Sequence, residues 1–98
     1  MDFYEGDIVG FSDIGVSLLD VPRQLKMVVI SESTEHKDCY VCSLVNAAES
    51  EIIKNNCHFS SFDPSDCTMS IHHNFIRLIE RGKNSVDFDA LDELLSTV

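Results

Sequence analysis

Apolar residues fall along this chain in short clusters, each about the length of a strand, with polar turns between them. Gly6-Asp7-Ile8-Val9-Gly10-Phe11 predicts a short strand, and residues 12–24, carrying Gly15 and Pro22, predict a long connection. The run Lys26-Met27-Val28-Val29-Ile30-Ser31 is β-branched, as a central strand would be, and a polar turn over 32–38 leads to a second such run over 39–45. The two predict an antiparallel hairpin. Residues 50–54 and 67–71 predict shorter strands on either side of a turn-rich stretch over 55–66, and 75–80 predict the last strand. Five or six short strands with no long helix between them define a mainly β fold, a barrel or a sandwich.

After Gly82 the period changes. Asn84 or Ser85 can cap a helix, Asp87 and Asp89 fall in its first turn, and Phe88, Leu91, Leu94, Leu95 and Val98 recur at spacings of three and four. The pattern predicts a helix over about 86–97, laid across the sheet through Phe88, Leu91 and Leu95. Its opposite face carries Asp87, Asp89, Asp92 and Glu93 without one Lys or Arg, which makes it a candidate binding surface for a basic partner.

Composition narrows the functional classes. A chain of 98 residues is one domain, and its net charge of −10, from 17 acidic and 7 basic residues, disfavours general nucleic-acid binding through phosphate neutralisation. No apolar stretch is long enough to span a bilayer, and Met1-Asp2-Phe3-Tyr4-Glu5 has neither the basic nor the apolar region of a secretory signal, so a cytoplasmic protein without membrane contact is expected. Cys39, Cys42, Cys57 and Cys67 are accordingly expected as free thiols. Cys39 and Cys42 have zinc-knuckle spacing, but on a strand a residue and its third neighbour face opposite ways. No metal and no cofactor is expected.

His72-His73, beside Asn74, is the best candidate for proton transfer, with Lys26, Arg23, Arg77 and His58 as cationic companions. In a strand, adjacent histidines would face opposite ways, one packed and one solvated. No nucleophile elbow, phosphate-cradling glycine loop or paired-carboxylate motif accompanies them.

Gly6-Asp7-Ile8-Val9, the long loop, and Met27-Val28-Val29-Ile30-Ser31 resemble the N-terminal half of the MazF/PemK toxins of the CcdB/Kid superfamily. Tyr40-Val41-Cys42-Ser43-Leu44-Val45-Asn46 resembles that family's next core strand, and Phe75-Ile76-Arg77-Leu78-Ile79 with Arg81-Gly82-Lys83 resembles its C-terminal third. The resemblance implies an SH3-like antiparallel β-barrel with a C-terminal α-helix, a homodimer, and either metal-independent endoribonuclease action on single-stranded RNA or inhibition by protein contact. It also implies a cognate antitoxin as partner. The catalytic positions are degenerate: Leu25 and Lys26 stand where the family has Arg-Pro, Asn46 replaces a Thr, and His72 and Asn74 fall where an Arg and an Asp do acid and base work. By this resemblance His72, Lys26, Asn46 and Arg23 are the candidate catalytic residues. The preferred expectation is an acidic interaction or inhibitory module, phage- or plasmid-type; the alternative is a type II endoribonuclease toxin.

Overall fold

The computed structural model describes residues 3–56 and 58–82. Five strands, β1 (Ile8–Phe11), β2 (Met27–Glu32), β3 (Cys39–Leu44), β4 (Thr68–His72) and β5 (Ile76–Glu80), form one antiparallel sheet in the order β4-β3-β2-β1-β5. The hairpin of β2 and β3 forms as expected. Their inward residues Met27, Val29, Tyr40, Cys42 and Leu44 meet Val9, Phe11, Met69 and Ile71 in a single core.

The outermost strands β4 and β5 are consecutive in the chain, joined by the 3-10 turn His73–Phe75. In a flat sheet they would lie four strand spacings apart, about 19 Å. Four residues of extended chain reach at most about 14 Å. The sheet must therefore coil towards its own opposite edge, and two bulges bend it: Ile30 is the extra residue of β2 against β3, and Ile79 that of β5 against β1. No pairing joins β4 to β5 among the described residues, so the sheet is curled and not closed.

Two segments differ from the sequence expectation. Within the predicted connection over 12–24 lies a helix, α1 (Asp13–Leu19), whose cap Ser12 accepts the Gly15 N–H at 3.1 Å and which ends at Asp20 in the left-handed region, φ 54°. Gly15 sits in its middle because the helix presses on the 3-10 turn: a Cβ there would collide with the Phe75 carbonyl. Ser12 clamps the same junction, its N–H donating to Phe75 O at 2.9 Å and its hydroxyl to Asn74 O at 2.7 Å. The second difference is α2 (Ser50–Lys54), expected as a strand. Only Ile53 of this stretch is buried, while Glu51 and Lys54 face solvent one turn apart, which is helical and not alternating spacing. Among the described residues the sheet therefore has five strands and not six. The predicted helix over 86–97 lies outside the described residues, as do Asp87, Asp89, Asp92 and Glu93.

A buried carboxylate joins the two ends of the described fold. Asp7 is fully buried; its Oδ1 accepts the Gly82 N–H at 2.8 Å, and its Oδ2 accepts the Tyr4 N–H at 2.9 Å and an Arg81 guanidinium hydrogen at 2.6 Å. The Arg81 guanidinium also lies over the Tyr4 ring, 5.2 Å from its centre. Gly6 turns the chain into the sheet with φ 90°, and Gly82 packs so tightly on it that a Cβ would come within 2.5 Å of the Gly6 carbonyl.

Candidate functional site

His72 closes β4 opposite Cys39, and the strand ends there. His73 already belongs to the 3-10 turn, so the alternation that would send adjacent histidines to opposite faces stops, and the two rings stack instead, 4.4 Å apart and 28° from parallel. The Phe75 ring stands 5.9 Å from His72. His72 Nδ1 accepts the Asn74 N–H at 3.2 Å, which assigns the neutral ring's proton to Nε2. The imidazole thus caps the turn with one nitrogen and offers the other as a donor.

The companions named for His72 are placed elsewhere. The Lys26 carbonyl accepts the Val45 N–H at 3.1 Å, which puts Lys26 and Asn46 at the end of β3, whereas His72 stands beside its start. From Cys39 to Val45 the extended chain covers about 20 Å. Asn46 spends its side-chain oxygen on the Ala48 N–H at 3.0 Å, capping the 3-10 turn Ala47–Glu49 ahead of α2. Arg23 is paired with Asp13 in the first turn of α1, both side chains exposed. Arg77 donates from Nε to the Phe11 carbonyl at 3.2 Å and lies over Gly10. The structure brings none of Lys26, Asn46 or Arg23 onto the His72 ring.

A separate cleft of about 290 Å³ opens between the end of α1 and the loop after α2, lined by Asp20, Ile52, Asn55, Asn56 and His58. Asn56 builds its floor, donating to the Leu19 carbonyl and accepting the His58 N–H at 2.9 Å. The mouth presents a carboxylate, an amide and an imidazole, a set that can meet a small polar group with donors and acceptors alike. Apart from His58, sequence reasoning missed this cleft. Its signal was the Asn55-Asn56 pair, which reads as turn chemistry and becomes a lining only once the α1 end folds against it.

The thiols behave as their strand positions require. Cys42 points into the core and burial pushes its thiol up to about 12, whereas Cys39, on the other face, is raised by desolvation first and by the neighbouring Asp38 second. No group of three His, Cys, Asp or Glu among the described residues is placed to hold a metal ion. Of the three thiols among the described residues, maleimide at pH 8 should modify Cys67 and Cys39 in native protein well before Cys42, as mass spectrometry of the labelled peptides would register; early labelling of Cys42 would contradict its burial. The sign of the alkaline effect is fixed too. Between the ordinary thiol value of 9.0 and about 12 the unfolded chain has lost the Cys42 proton and the native fold keeps it, so stability falls as pH rises through that window.

The architecture defines a small mainly β protein with one coiled, five-stranded antiparallel sheet. None of the family models, curated proteins or solved structures compared with the chain matches it. No helix among the described residues is long and apolar enough to cross a membrane.

Proposed function

We propose that this protein is an SH3-like barrel of the MazF/PemK type that acts as a non-catalytic, acidic interaction module. The separation of His72 from Lys26 and Asn46 by about 20 Å along β3 carries the reading. Phosphoryl transfer needs the proton-moving group and the charge-holding groups within hydrogen-bond reach of one phosphate, a few ångströms apart. Here the His72 Nδ1 and the Asn46 amide oxygen are both spent on capping turns, and Arg23 faces a carboxylate. The strand order, with β4 and β5 joined through a 3-10 turn and β1 paired with both β2 and β5, supports the barrel. Among the described residues every Asp and Glu except Asp7 and the half-buried Glu49 is exposed, so the surface suits a partner with a basic face.

Purified protein incubated in EDTA with a long single-stranded RNA should leave it intact. Discrete fragments that disappear with His72→Ala would overturn the reading in favour of the endoribonuclease.

A further inference from the structure

The cleft lined by Asp20, Ile52, Asn55, Asn56 and His58 lies where two helices end. Asp20 is the C-cap of α1 and Asn55 the C-cap of α2, so both helices bring their carbonyl ends to its wall. The last-turn carbonyls of a helix carry its partial negative charge and favour a cation. Asp20 adds a full negative charge at the same place. The described ion pairs join Arg23 to Asp13, Lys54 to Glu51 and Arg81 to Asp7, and none of them reaches Asp20. Lys54 precedes Asn55 in the chain, but its ammonium is turned to Glu51 at 3.9 Å and does not neutralise the cleft.

The remaining lining groups select among cations. Asn56 spends its amide on the backbone, donating to the Leu19 carbonyl and accepting the His58 N–H, which leaves the amide oxygen of Asn55 as the neutral acceptor beside Asp20. Ile52, 44% exposed, supplies an apolar wall. With one carboxylate in reach, a bound cation must place its other donors on neutral oxygens. An ammonium is compact and strongly hydrated; a guanidinium is flat, gives up its water more readily and carries five donors in a fork that fits a carboxylate. The volume of about 290 Å³ falls at the lower limit for pockets that take drug-sized ligands, room for one side chain and not for a large cofactor. We propose that this cleft receives the side chain of an arginine on a protein partner, with two guanidinium N–H groups on the Asp20 carboxylate, a third on the Asn55 amide oxygen, and the aliphatic stem along Ile52. The inference rests on the reading of the protein as an acidic interaction module and names the side chain by which that module recognises its partner.

The probe is a short blocked peptide with one central arginine among alanines, titrated into the isotope-labelled full chain at pH 7.5, above the ordinary imidazole value of about 6.5. Saturable NMR shifts confined to the amides of Asp20, Ile52, Asn55 and His58 and to the Asn55 side-chain NH2 are expected, with weaker binding of the lysine counterpart. Asp20→Asn should weaken the arginine peptide about fivefold, the upper end for an exposed ion pair. Asparagine tolerates the left-handed conformation that Asp20 adopts at φ 54°, so the fold is kept. Glu35→Gln removes the same charge from the polar turn over 32–38 and should leave the affinity unchanged. Shifts scattered over the acidic surface, with equal weakening by both substitutions, would overturn the cleft and leave the acidic module standing. Absence of any shift would overturn the cleft as well, and lysine binding as tightly as arginine would overturn the guanidinium assignment. Cleavage of RNA in EDTA would instead strike the module reading itself, so the two failures are told apart.

Discussion

Replacing Asp7 with alanine should cost the fold about 3–5 kcal/mol, the range for removing one partner of a buried charged pair. The side chain is fully buried and serves three donors at once, the Tyr4 and Gly82 amides and the Arg81 guanidinium. Without it the Gly82 amide loses this acceptor at a buried position and the Tyr4 amide at a part-buried one, and the guanidinium, about one-third exposed, loses its carboxylate. For a domain of this size the loss corresponds to a fall in Tm on the order of 15–30 °C. Asp7→Asn should not rescue it. Whichever way the amide is turned, its NH2 group meets a donor that the carboxylate accepted, either the Gly82 N–H or the Tyr4 and Arg81 hydrogens. A thermal melt of Asp7→Asn within a few degrees of the wild type would show that the carboxylate is not what ties the ends together.

Phe11→Ala should be comparably severe, again about 3–5 kcal/mol, because a fully buried aromatic leaves both its transfer free energy and a cavity behind. Phe11 ends β1 and has no exposure; its ring meets Phe59, 5.9 Å away, in the segment that follows α2. The substitution therefore removes the contact by which that irregular stretch covers the open end of the sheet. Urea denaturation should show a lower midpoint, and protection of the Phe59 and Phe62 amides should fall with it. A midpoint within a few tenths molar of the wild type would mean the core refills the space.

All five strands were legible, β4 to within one residue, because their apolar residues run at strand length between polar turns, and the alternation in Cys39–Leu44 even placed Cys39 and Cys42 on opposite faces. The helices were not. Gly15 and Pro22 read as loop chemistry, and the reason for a glycine in mid-helix, its pressure against the Phe75 carbonyl, exists only in three dimensions. Residues 50–54 offered two adjacent isoleucines, of which the fold buries only Ile53 and leaves Ile52 on the cleft. The histidine pair failed for a related reason: period-two reasoning holds only while the strand lasts, and β4 stops at the first of the two rings. The Asp7 carboxylate was visible as part of a Gly-Asp pair, but its partners Arg81 and Gly82 lie more than seventy residues away, and no local pattern joins them.

The contact between Gly6 and Gly82 means that the described fold receives the chain and releases it at one point on its surface. A unit whose two ends touch occupies no more of a host surface than a single loop does. Residues 6–82 therefore have the geometry of a cassette: linked end to end they would permute with new termini at the polar turn over 32–38, and set into an exposed loop of another protein they would leave its flanking elements in register.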